Sequence, residues 1–177
     1  MIYQDRGSYA EALAHYERSL MILEELGNRS GIANSVHQIG VIHQARGAHK
    51  QALELYQKSL RINEELGNRS GEAFTLGEMG RLFASLGQYE EALERLLNAL
   101  AILAELQSPY AKTTINLLGG LRREWGTKEF DSAWQKLTGS PPPEYLEELT
   151  DAFVPDYPKA SPIGVIRVDQ DAHHSVG

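Results

Sequence analysis

The chain has 177 residues, 42% apolar and 23% charged, enough for one compact domain or a short stack of repeats around a continuous core. A formal charge of −7 argues against a grip on phosphate backbones, and the lack of cysteine removes disulfide scaffolds, thiolate zinc sites and cysteine nucleophiles. No apolar run approaches the roughly 20 residues that cross a bilayer, and Asp5, Arg6 and Glu11 break the place of a signal peptide. The expectation is a soluble, cytoplasmic protein that binds neither nucleic acid nor membrane.

The first predicted helix starts after a turn at Gly7. Ser8 and Glu11 form a capping-box pattern, Ala12, Leu13, Tyr16 and Leu20 make one apolar stripe, and Gly27 suits the left-handed residue that ends a helix. Shifting residues 1–30 by 40 lays them on residues 41–70 with seventeen of the thirty positions identical, so the chain is internally repetitive. Ser30 is the predicted cap of the next helix, whose stripe is Val36, Ile39, Gly40 and His43. After a turn at Gly47 the stripe resumes with Ala52, Leu53, Tyr56, Leu60 and Ile62 and closes at Gly67. A third copy runs from the cap Ser70 through Gly80, a turn at Gly87, Ala92, Leu93, Leu100 and Ile102. Gly40 and Gly80, with Ala12, Ala52 and Ala92, predict close approach of paired backbones.

The last copy is irregular. Gly119 and Gly126 lie 39 beyond Gly80 and Gly87, whereas Phe130, Ala133 and Leu137 lie 41 beyond Tyr89, Ala92 and Leu96. That predicts helices over 110–125 and 128–138 joined by a turn two residues longer. All seven prolines lie at Pro109 or beyond, in keeping with uninterrupted helix before it. Pro141, Pro142 and Pro143 end the repeats, a short amphipathic helix is predicted over 144–153, and Pro155, Pro158 and Pro162 favour extended chain after it. Residues 139–177 hold seven acidic and two basic side chains, so most of the net charge belongs to this tail.

Val36-x2-Ile39-Gly40-x2-His43 followed by Ala52-x3-Tyr56, and Leu76-x2-Met79-Gly80-x2-Phe83 followed by Ala92-x3-Leu96, resemble the tetratricopeptide repeat. The period of 40, the missing proline and Glu64 within a lengthened second helix are similar to the repeats of kinesin light chains, spindle-orientation adaptors and bacterial regulatory arrays. The resemblance covers residues 1–138. It implies an all-α fold, a right-handed superhelical solenoid of antiparallel helix pairs with about three and a half repeats. These are a truncated first repeat at 1–30, repeats at 31–70 and 71–108, and a degenerate capping repeat at 109–138, with 139–177 as tail. The implied function is a protein–protein interaction scaffold, without catalysis, cofactor or metal, that binds a peptide or partner segment in the concave groove of the first helices. The alternative it implies is a regulatory sensor segment of a larger bacterial signalling protein, of the ATPase or peptide-pheromone receptor type.

By position, the groove residues would be Asn34, His37, Gln38, Val41 and Gln44, then Phe74, Glu78, Arg81 and Ser85, then Asn116 and Arg123. The asparagines that bond an extended peptide in the longer-repeat relatives are replaced by His37 with Gln38 and by Gly77 with Glu78, leaving Asn116. The Lys/Asn set that clamps chaperone carboxylates is not reproduced. What remains is a groove of mixed polarity.

Other chemistry is thin. His37 and His43 are six apart, off a common helical face, and the second stands where the family has an aromatic. His49 stands where Tyr9 and Tyr89 do, so it reads as a packing residue, and His173 and His174 lie in the tail. Glu24 with Glu25 and Glu64 with Glu65 diverge by about 100° on a helix and do not face each other as acid–base chemistry requires. Arg29 and Arg69 recur between repeats, where they read as turn and capping residues rather than as a site for an anionic partner. Finally, the first repeat lacks most of the helix that should cover its stripe. The expectation is either a longer array or a homodimer formed through the uncapped first repeat.

Overall fold

The computed structural model describes the backbone of residues 2–146 and the side chains of residues 9–146. Among these, seven α-helices follow one another: α1 (Ile2–Glu25), α2 (Arg29–Ala45), α3 (His49–Leu66), α4 (Arg69–Ser85), α5 (Tyr89–Glu105), α6 (Ala111–Trp125) and α7 (Thr127–Thr138). A 3-10 turn spans Glu144–Leu146 and there is no strand among the described residues. Each helix packs against the next, and the non-sequential contacts between helices join α2 to α4, α4 to α6 and α5 to α7. This is an all-α solenoid of antiparallel helix pairs.

The pairs are close because glycine faces a large side chain. A Cβ on Gly40 would stand 2.8 Å from Tyr56 Cε1, and one on Gly80 would stand 2.7 Å from Leu96 Cγ. Tyr56 and Leu96 are fully buried, as are Ala52 and Ala92 on the facing helices. The core runs on through Leu93, Leu97, Leu100, Leu118, Phe130 and Trp134. Trp125 stacks on Tyr89, and Arg122 holds Asp131 through two hydrogen bonds of 2.8 and 2.9 Å, tying α6 to α7. Leu146 folds back onto the same core.

Helix ends differ from expectation in four places. First, α1 is continuous, so Gly7 lies inside it and Ser8 starts no helix. Second, Asn28 and Asn68, not Ser30 and Ser70, cap α2 and α4. Their Oδ1 atoms accept the Gly31 and Gly71 amides at 2.9 and 3.2 Å, because the helices begin at Arg29 and Arg69, one residue before the serines. Third, the turn between α6 and α7 is shorter than its counterparts, a single Gly126 at φ 103°. The inserted residues extend α7 at its start instead of lengthening the turn. Fourth, helix over 144–153 is present only as the 3-10 turn at 144–146, and the rest of that span lies outside the described residues. Where Gly27 and Gly67 take φ of 64°, the corresponding Gln107 takes 50°, a conformation that costs a side chain what glycine does not pay.

Arg29 and Arg69 have a structural duty. The first pairs with Glu65 and the second with Glu105 at 3.1 Å, each thirty-six residues on. In both pairs the start of a first helix is latched to the end of its partner helix.

Candidate functional site

α4 touches both α2 and α6, and the candidate residues lie on these three helices in three rows. On α2, Asn34 and Gln38 are exposed and their amides have no hydrogen-bond partner among the described residues. Val41 is half-buried against the cluster of Ala52, Tyr56, Met79 and Leu82. Gln44 Oε1 accepts the Tyr56 hydroxyl at 2.7 Å. His37 is half-buried, with its ring centroid 5.5 Å from that of Tyr56 and its Nδ1 3.3 Å from Thr75 Oγ1.

The α4 row begins with Phe74, exposed, with its ring edge-on to Tyr110 at 4.8 Å. One helical turn on, Glu78 accepts from Arg81 Nη1 at 3.1 Å. Ser85 turns back to give its proton to Leu82 O at 2.7 Å and so is committed to its own helix. On α6, Asn116 is exposed with its amide unpaired among the described residues, and Arg123 is exposed near the helix end.

The structure brings His37, Gln44, Glu78 and Arg81 together around Tyr56. Burial pushes the Tyr56 phenol above its ordinary value, and the Glu78 carboxylate adds to this while Arg81 opposes it. Burial also lowers His37, against the pull of Glu78. Phe74 lies one helical turn, about 6 Å along α4, before Glu78 and packs on Tyr110 instead of on Tyr56.

Sequence reasoning missed Tyr56, Thr75 and Tyr110. Tyr56 was legible as a core residue of the stripe, but its hydroxyl bond to Gln44 was not. Thr75 carries no motif, and Tyr110 follows Pro109 in a loop that no periodicity marks. Glu64, apart from the site, is raised by partial burial and by Glu72. His49 Nδ1 is buried without a hydrogen-bond partner, as a packing residue in place of tyrosine would be. Among the described residues no three histidines or carboxylates gather to hold a metal, and no helix is long and apolar enough to cross a membrane. His173 and His174 lie outside the described residues. The cluster supplies donors, acceptors and an apolar floor.

A tetratricopeptide repeat family model matches residues 1–65 and 31–105. The chain belongs to the tetratricopeptide repeat family. Among solved structures it is similar to the nearly identical repeats of a putative kinesin light chain from Podosopora anserina. The identity is 20% and the TM-score 0.59, over 77% of this chain and 69% of that one. It is also similar to BtubC (BKLC) from P. vanneervenii, at 18% identity and TM-score 0.63, over 90% of this chain. The chain spans 64% of BtubC. At these identities the likeness concerns the fold. No curated protein is significantly similar in sequence. Tetratricopeptide repeats generally mediate contacts between proteins, and the family is generally non-enzymatic.

Proposed function

We propose that this tetratricopeptide protein is an interaction scaffold that binds an extended partner segment along the side shared by α2, α4 and α6. One observation carries the reading: Asn34, Gln38 and Asn116 present unpaired amides on that side, beside the His37–Glu78–Arg81 cluster and the apolar Val41. Amide side chains can each give and take a hydrogen bond, and a groove already formed costs little reorganisation on binding. Phe74 with Tyr110 offers an aromatic contact at one end, and Arg123 a cationic one towards the other.

The test uses a partner captured with the chain as bait. Gln38→Ala combined with Arg81→Ala should weaken binding while the melting temperature holds. Lys50→Ala combined with Lys58→Ala, on the exposed side of α3, should leave it unchanged. The opposite pattern would place the binding surface on the second helices of the pairs. The proposal includes a second contact, pairing of two copies through α1. Its support is Ile22, 57% exposed where the corresponding Ile62 and Ile102 are 7% and 6% exposed, with Met21 and Leu26 exposed alongside.

A further inference from the structure

Ser59, Asn63 and Thr75 are buried polar side chains, and their polar atoms form a chain of close contacts that ends at His37. Each hydroxyl has one proton to give. Ser59 gives its proton to Ala33 O at 2.9 Å. Thr75 gives its own to Gly71 O at 2.8 Å, one turn back in α4, the usual helical back-bond of a threonine. Only lone pairs of Thr75 Oγ1 remain for its other neighbours, Ser59 Oγ at 3.4 Å and His37 Nδ1 at 3.3 Å. Ser59 Oγ is supplied by Asn63 Nδ2 at 3.3 Å, and Asn63 Oδ1 is filled by Asn68 Nδ2 at 2.7 Å. No proton in the chain is left over for His37.

The contact between His37 and Thr75 is therefore a hydrogen bond only if Nδ1 carries the proton. A neutral imidazole has one such proton, so Nε2 is an acceptor, and it has no partner among the described residues. Burial keeps the ring neutral against Glu78 of α4, the charged group acting on it, while Tyr56 of α3 packs beside it. Among the described residues the device occurs once. Thr114 repeats the back-bond, to Tyr110 O at 3.4 Å, but Gly77 stands where His37 does.

We infer that His37 is a fixed acceptor of the groove: Thr75 locks the imidazole in its Nδ1–H form, and Nε2 takes a backbone N–H from an extended partner segment. The ligand rests on the groove reading of function, whereas the tautomer does not.

Long-range 1H–15N correlation spectra of the full chain at neutral pH read the tautomer without any ligand. Nδ1–H is expected for His37; Nε2–H, or exchange between the two, would overturn the inference. Thr75→Val should release the lock to a mixture and Thr75→Ser should restore it, and an unchanged tautomer in the valine variant would remove Thr75 from its role. For the ligand, peptides selected on the chain from a random linear library are resynthesised with each amide N-methylated in turn. One methyl position should weaken binding about tenfold, the value of one hydrogen bond, in the wild type and in His37→Gln, which keeps an acceptor. The same methyl should have no effect in His37→Ala. A methyl penalty that ignores residue 37 overturns the acceptor role. If no peptide is selected although the tautomer is Nδ1–H, the groove reading falls and takes the ligand with it. If peptides bind while the tautomer is Nε2–H, the groove stands and the inference falls.

Discussion

Gly40 and Gly77 are both interior helical glycines of first helices, yet alanine should act oppositely at the two. In each helix the change gains about 0.5–1 kcal/mol, because glycine loses more backbone freedom on folding. At Gly77 a Cβ meets nothing within 4 Å, so the gain stands alone. At Gly40 it meets Tyr56 Cε1 at 2.8 Å and Cδ1 at 2.9 Å. The ring would have to retreat by roughly 0.7 Å to reach an ordinary carbon separation of about 3.5 Å. It is fully buried, and its hydroxyl is tied to Gln44, so the helix pair must open instead. Overpacking of this kind costs about 1–3 kcal/mol. Gly40→Ala should therefore be less stable than Gly77→Ala by about 1–3 kcal/mol. At about 2–4 °C per kcal/mol for a chain of this length, the melting temperatures should differ by roughly 2–12 °C. Differential scanning calorimetry on both variants decides it. Equal gains would refute the close contact at Gly40.

Asn68→Ala should cost about 1 kcal/mol of stability in urea titrations, since it removes a helix cap, whereas Ser70→Ala should be nearly neutral. Because His37 is held neutral by burial, its folded pKa is lowered, and the unfolded chain binds the proton first as pH falls below about 6.5. Stability should then decline from pH 7 towards pH 5, and His37→Gln should flatten that part of the curve in a pH series of melts. Met21→Glu combined with Ile22→Glu should shift the chain towards monomer in sedimentation velocity at unchanged melting temperature. A wild type that stays monomeric at every concentration would remove the α1 contact.

Residues that recur at 40-residue spacing were legible because they repeat a packing solution. The left-handed ends at Gly27 and Gly67 and the close approaches at Gly40 and Gly80 follow from residue type at a fixed place in the pair. Features set by what packs nearby were not legible. Gly7 has the residue type of Gly47, but a glycine turns the chain only where both arms find a partner, and α1 runs straight through. The caps were misplaced because Asn28 and Ser30 are both good capping residues, and helix length rather than residue type chooses between them. On α2, the candidate residues were assigned from their position in the repeat alone. The proton on His37 could not be, since it depends on Thr75, which lies 38 residues away and whose own proton is drawn to Gly71.

The two complete pairs share an architecture but not an interior. In α3, Ser59 and Asn63 are buried, Ser59 bonded to Ala33 and Asn63 to Asn68, with the Ser59 oxygen beside that of Thr75. In α5 the corresponding positions are Ala99 and Leu103, buried in the apolar core that continues to Phe130 and Trp134. A repeat contacts only its neighbours, so such a difference stays local. Apolar burial is indifferent to direction, whereas a chain of hydrogen bonds has an order and an end. The α4–α7 half of the solenoid thus rests on a core that imposes no orientation on the groove. The α2–α4 half carries a polar seam whose last member is His37. Its cost in desolvation is met by near-complete pairing, and its product, on the inference above, is a His37 side chain with a set orientation and proton. On the same scaffold, Gly77 has neither.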